Sequence, residues 1–179
     1  MDRPCTVGVM TKPTAVIFDV DGTILDVTSA LHFLYPDEGG VKDYDSYHKA
    51  TIDCPAQENV LAAIQQAHAD GHAAVMLTSR AERFRADTMA ALDRHGVTCT
   101  VLHMRRNGDP RIDYEMKAEA LDGIEAEYAI VGAWDDNPGV VAMMRARGID
   151  VTHVPGWEEQ NPTLVALGHV REAANETAA

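Results

Sequence analysis

The chain has 179 residues, enough for one domain with a substantial core, and a 46% hydrophobic content supplies the apolar surface to build it. A formal net charge of −13 opposes non-specific attraction to nucleic acid. No apolar run approaches the roughly 20 residues of a membrane span, and the N-terminal MDRPCTVGVMTKPT lacks the apolar stretch of a signal peptide, so no membrane contact is expected.

Residues 1–13 read as a short lead. AVIF (15–18) reads as a strand, and it runs straight into Asp19, Val20, Asp21, Gly22 and Thr23. Residues 27–54 hold several aromatics and acids without a clear period. They are too few for a second domain and are expected to form a small lid or irregular flap. Within that flap Tyr35, Tyr44 and Tyr47 suit either stacking on a base or closing a small core. Residues 55–71 place Val60, Leu61, Ile64 and Ala67 on one helical face, with Gly71 as a stop. AAVMLT (73–78) is the next expected strand. It is followed by a helix over 81–95 with Phe84, Met89 and Leu92 inward and Gly96 at its end. CTVLHM (99–104) reads as a strand, 114–122 as a short helix, YAIVGA (128–133) as a strand, 138–148 as a helix opened by Pro138, and 150–154 as a last strand. REAANETAA (171–179) reads as a frayed tail, which leaves 14–170 as a single domain.

Alternating strands and helices with near-continuous apolar strands predict an α/β three-layer sandwich. Its parallel, Rossmann-like sheet is covered on both faces. Ligands in such sheets bind outside the carboxyl ends of the strands. Asp19 and Asp21, then Thr78 to Arg80, then Asp135 and Asp136 all fall just past such ends.

Burying carboxylates at strand ends costs several kcal/mol per ion without compensation. A hard cation such as Mg²⁺, which wants oxygen ligands, offers it through Asp19, the backbone carbonyl of Asp21 and a distal carboxylate. Thr78 offers a hydroxyl suited to a phosphate oxygen, and Lys117 a positive charge. Taken alone, each is explained as well by a turn, a helix cap or a solvated lysine. The bases Arg80, Arg83, Arg85, Arg94, Arg105, Arg106, Arg111 and Lys117 fall in one stretch with acids dominating both flanks. Any anion-binding surface should therefore be local, and outer members such as Arg94 read equally well as a solvated face. Three scattered cysteines, Cys5, Cys54 and Cys99, make no CxxC pair. They fit a reducing cytosol, with Cys99 expected in the core.

In order along the chain, AVIFDVDGT, AVMLTSR, Lys117 and YAIVGAWDD resemble the four motifs of the haloacid dehalogenase-like (HAD) phosphatases. The resemblance implies Asp19 as a nucleophile that forms a phosphoaspartate. It implies Asp21 as the acid and base, Thr78 and Lys117 as the phosphate-binding pair, and Mg²⁺ held by Asp19, Asp21, Asp135 and Asp136. The short gap between the first two motifs, and the stretch from Arg80 to Lys117, leave no room for an inserted cap domain. MRRNGDPRIDYEMKAEAL (104–121), with Arg105, Gly108, Asp109, Arg111, Asp113 and Lys117, resembles the 3′-phosphatase domain of polynucleotide kinase-phosphatases. That implies Thr23, Ser79, Arg80, Arg111 and Asp113 as substrate contacts, the arginines gripping phosphates as planar forks and Asp113 pairing with or orienting Lys117.

The implied substrate is a phosphorylated nucleic acid end, most typically a 3′ end, or a nucleotide. The chain departs from that family in two ways. It has no GxxxxGK[ST] loop, so kinase or ligase chemistry would come from a separate partner. It also has no arginine just after Asp26, where His32 or Lys42 stands in that stretch. The acidity of the chain leaves a mononucleotide phosphatase as a competitor, and a non-catalytic module that reads phosphorylated ends as a rival of another class.

Overall fold

A computed structural model describes residues 12–36 and 40–156. Its centre is a five-stranded parallel sheet. β1 (Thr14–Phe18) lies in the middle, β2 (Ala73–Ala81) and β3 (Val101–Arg105) on one side, and β4 (Ala129–Asp135) and β5 (Val151–His153) on the other. Residues along β1 and β2 alternate between two apolar layers. Phe18 and Met76 face one, Ile17 and Val75 the other. A strand buried on both faces reads as a continuous apolar run, which is why AVIF and AAVML carry no alternation.

Helix α2 (Glu58–Ala69) covers the first face with Val60, Ile64 and Ala67, and α3 (Arg85–Arg94) joins it with Ala91 and Leu92. Helices α4 (Asp113–Glu127) and α5 (Pro138–Ala146) cover the second with Leu121, Ile124, Val140 and Met144. Each such Val, Leu, Ile or Met side chain contributes about 1.5–3 kcal/mol when fully buried. The expected three layers are present.

Four local expectations are corrected. α4 extends five residues past its expected end at 122. Gly123 follows that expected end, but Leu121 and Ile124 both bury, and that tertiary gain outweighs a mid-helix glycine's cost of about 1 kcal/mol. β2 runs on from 78 to Ala81, with a register shift against β3 between Thr78 and Ala81. Residues 27–54 are more regular than a flap without period. They contain a 3-10 helix (Thr28–Phe33), α1 (Tyr44–Ala50) and a second 3-10 turn (Thr51–Asp53). α1 is capped by Asp43, which accepts from Ser46 N at 2.9 Å. Cys99 is half-buried at the margin of the first core layer rather than within it, whereas Cys54 is buried. Cys5, residues 1–11 of the lead and the tail lie outside the described residues.

The sheet order places a topological switch at β1. From there the chain proceeds outward through β2 and β3 on one side and later through β4 and β5 on the other. Ligand crevices form at such points, beyond the carboxyl ends of the strands. Asp19 follows β1 there, and Asp135 ends β4 beside it.

Candidate active site

Asp19 leaves β1 with its N–H bonded to Trp134 O at 3.0 Å, so the two central strands stay paired up to the first carboxylate. The chain then turns at Gly22, whose φ of +80° favours a residue without a Cβ. Gln57 Nε2 donates to Gly22 O at 2.6 Å and pins the turn to the start of α2. Across the switch point the buried Lys117, on α4, donates to Asp19 Oδ1 and Asp135 Oδ2, both at 2.7 Å. One ammonium thus ties the ends of β1 and β4 together. Asn137 caps α5 by accepting from Gly139 N, so neither Asp135 nor Asp136 is spent as that helix's cap.

One carboxylate oxygen from each of Asp19, Asp135 and Asp136 lies within 4.8 Å of the others. All three residues are buried, and a single ammonium pairs with Asp19 and Asp135. Burial pushes the Asp19 carboxyl up to about 7; Lys117 opposes the shift and Asp135 adds to it. Burial also raises Asp135, and it raises Asp136 well above the carboxylate range, with Asp19 and Asp135 adding to the shift. Burial alone would lower Lys117, but Asp135 and Asp19 outweigh it and raise it. The cluster carries more negative charge than its lysine compensates. A hard divalent cation with oxygen ligands would supply the balance, so the donor set fits Mg²⁺.

Asp21 has different company. Arg80 grips it with two parallel bonds, Nε to Oδ2 at 2.7 Å and Nη2 to Oδ1 at 2.6 Å, and Tyr47 OH donates to Oδ1 at 3.1 Å. Burial would raise this carboxyl, but Arg80 outweighs it and holds Asp21 below its ordinary value. Arg80 is itself buried and also donates to Thr51 Oγ1 at 2.9 Å and Thr88 Oγ1 at 3.3 Å.

A cleft of about 100 Å³ opens on these groups. Asp19, Asp21, Thr78, Ser79, Asp113 and Lys117 line it, and Val27, Leu31 and Leu34 of the first 3-10 segment form an apolar wall. Thr78 is buried and accepts from Arg80 N at 3.2 Å. Because β2 runs on to Ala81, it is this strand's bulge, and no helix start, that presents Thr78 and Ser79. Ser79 Oγ is buried without a hydrogen-bond partner.

Other expected substrate contacts are engaged by groups of this chain. Thr23 is fully buried and donates to Asp136 Oδ1 at 3.4 Å. Asp113 makes its ion pair with Arg105 at 2.6 Å rather than with Lys117, to which it contributes only a field. Arg111 lies on Asp109 and Glu119 and is not among the cleft-lining residues. His32 bonds Ser29 O, and Lys42 sits 5.3 Å over the Tyr35 ring. Tyr47 is in the core and Tyr44 about half exposed. The role of Tyr47 was missed because its target lies 26 residues away. The available signal was the Asp43 cap, which makes 44–50 helical and puts Tyr47, His48 and Thr51 on one buried side.

His48 packs against Tyr47 and Phe84, with ring centroids at 4.9 and 4.1 Å. Burial pushes its ring down to about 4; Asp21 and Asp45 oppose the shift, while Arg80 and Arg83 add to it. A histidine neutral in the fold but charged when unfolded contributes stability that is complete above pH of about 6.5 and is lost as pH falls toward about 4. Urea midpoints at pH 7.5 and 4.5 should therefore differ less for His48→Phe than for the wild type. Equal differences would remove His48 from this account.

The model for the polynucleotide kinase PNKP phosphatase domain matches residues 13–156. The chain is similar to one in a solved Pnkp1/Rnl/Hen1 RNA repair complex. Identity is 25%, the TM-score is 0.66, and the match covers 80% of this chain and 43% of that one. The present chain therefore spans less than half the length of that relative. It is also similar to the class C acid phosphatase from Bacillus anthracis with tungstate bound, at 16% identity and a TM-score of 0.61, covering 82% of this chain and 68% of the other. That second likeness is one of fold. No curated protein matches the chain.

Proposed function

The chain belongs to the family of polynucleotide kinase PNKP phosphatase domains, a branch of the HAD-type phosphatases, and from that premise we propose that it is a Mg²⁺-dependent phosphomonoesterase that removes a terminal 3′ phosphate from nucleic acid ends through an aspartyl-phosphate intermediate. The observation that carries the proposal is Asp19 held by Lys117 beside Asp135 and Asp136, with Asp19, Lys117 and Asp136 lining a cleft.

Asp19 attacks phosphorus and the phosphorus–ester oxygen bond breaks; the departing oxygen takes a proton from Asp21, which Arg80 and Tyr47 otherwise hold as a carboxylate and which must leave that fork protonated to act as the acid. Water then attacks the phosphoaspartate, returns a proton to Asp21, and releases inorganic phosphate with Asp19 restored. Lys117 has three donors and spends two on carboxylates, which leaves one for a phosphate oxygen. Arg80 and Tyr47 hold Asp21 as the carboxylate that accepts the proton in the second step. Thr78 and Ser79 offer hydroxyls to the phosphoryl oxygens, with Ser79 Oγ having no competing partner. Mg²⁺ held by Asp19, Asp135, Asp136 and the Asp21 carbonyl would supply Lewis-acid stabilisation of the charge on the transferring group.

The solved relative is assembled with Rnl and Hen1 in an RNA repair complex. A separate kinase or ligase partner for this chain is part of the same proposal. Among the described residues no helix is long and apolar enough to cross a membrane.

A 3′-phosphorylated oligonucleotide should release phosphate in Mg²⁺ buffer and cease to do so in EDTA. A 5′-phosphorylated strand should react at least about 10-fold more slowly, a discrimination of about 1.4 kcal/mol. Mg²⁺ at 100 times its dissociation constant should stabilise the fold by about 2.7 kcal/mol, read as a raised melting temperature. Turnover that persists in EDTA, with no thermal shift, would refute the metal assignment.

A further inference from the structure

The arginines offered by the sequence as phosphate grips each stand beside an acid of this chain. Arg80 is fully buried on Asp21. Arg105, 13% exposed, donates to Ser79 O, Asp109 O and Asp113 while also bonding Arg111 O. Arg111 holds Asp109 with paired bonds and Glu119 with a third contact. Arg106 and Arg83, the more exposed ones, stand by Glu119 at 3.2 Å and Asp45 at 4.0 Å. Five arginines (Arg83, Arg85, Arg105, Arg106, Arg111) thus meet five acids (Asp45, Glu82, Asp109, Asp113, Glu119), and their local charge balances. Lys117 is the one cation among the cleft-lining residues described. Val27, Leu31 and Leu34, the apolar wall of the cleft, carry no charge.

We infer that the site binds a single phosphorylated nucleoside, one phosphate on Lys117 and its sugar against the apolar wall, without gripping any further phosphate of a chain. This rests on the phosphatase reading above and narrows its substrate to a footprint of one nucleotide. Recognition of a polymer needs cations spaced along its backbone. Each phosphate neutralised on a single strand steepens the salt dependence of log affinity by about −0.7. A site with one such contact should show a slope near −0.7, and a site with four a slope near −2.8.

The test compares kcat/KM for a 3′-mononucleotide with that for 3′-phosphorylated oligonucleotides of increasing length, in Mg²⁺ buffer, across a range of NaCl concentrations. We expect values within about 3-fold across lengths and a salt slope near −0.7. Arg83→Ala with Arg106→Ala should leave every substrate within about 2-fold of the wild type. A gain of 10-fold or more with length, or a slope of −2 or steeper, would overturn the one-nucleotide footprint while leaving the phosphatase reading intact. The same holds for a loss in the double variant confined to long substrates. Failure to hydrolyse any phosphorylated nucleotide, with an aryl phosphate still cleaved, would overturn the nucleic acid reading itself.

Discussion

Asp19→Asn should abolish phosphate release, with a loss in kcat of about 10⁴-fold or more, the scale on which removing a nucleophile acts. The amide has the volume of the carboxylate and retains an oxygen that can accept from Lys117, so its effect is chemical rather than steric. Stability should hold or rise. Asp19 is one of three crowded, buried carboxylates, and burial has already pushed it up to about 7. Replacing it with a neutral group removes repulsion with Asp135 and Asp136. Loss of a charge-assisted bond from Lys117 opposes that gain. The check pairs phosphate release with thermal melting. An inactive variant that melts at or above the wild-type temperature locates the nucleophile at Asp19. Full activity would refute the covalent mechanism.

Arg80→Met should be among the most destabilising single changes in this chain and should also cripple turnover. Its side chain is fully buried, forks onto Asp21, and reaches two further elements through Thr51 and Thr88. Breaking a buried pair leaves an uncompensated charge, at a cost of about 3–5 kcal/mol. That is a large share of the 5–15 kcal/mol typical of a whole domain. Arg80→Lys keeps the charge but not the fork, so it should recover part of the stability and little of the activity. Asp21→Asn combined with Arg80→Met should cost less than the sum of the two changes, because the second removes the charge that the first strands. Urea unfolding of the four proteins reads the stability and phosphate release the activity. Additive losses would show that the pair is not coupled.

Asp21 also sets a pH signature. Its folded value lies below the ordinary one because Arg80 outweighs burial. Its contribution is therefore present above about pH 4 and lost as pH falls further. Arg80→Met should remove that acid-side loss.

The single chain was sufficient for features whose physical cause is local. Apolar runs too continuous for a half-exposed strand announced a sheet covered on both faces. Aspartates set directly after such runs announced charge at the sheet's carboxyl edge. The order of Asp19, Thr78, Lys117 and Asp135 carried the family. The first two depend on neighbours a few residues apart, where backbone periodicity fixes which way a side chain points, and the third on the order of short motifs along the chain.

Only the tertiary structure decided where the arginines spend their charge. Arg80 meets Asp21 across 59 positions, and Tyr47 reaches it across 26. Arg105 takes Asp113 away from Lys117, eight positions from its own place, because β3 and the start of α4 bring them together. A guanidinium can bind a substrate phosphate or a carboxylate of its own chain equally well. Sequence spacing cannot rank the two, since the ranking depends on which acid the folded chain delivers within about 3 Å. The same holds for 27–54, whose helical turns are specified less by internal periodicity than by the site they wall. The chemistry was thus legible wherever it lay at a strand end, and the reach of the substrate site only where distant segments meet.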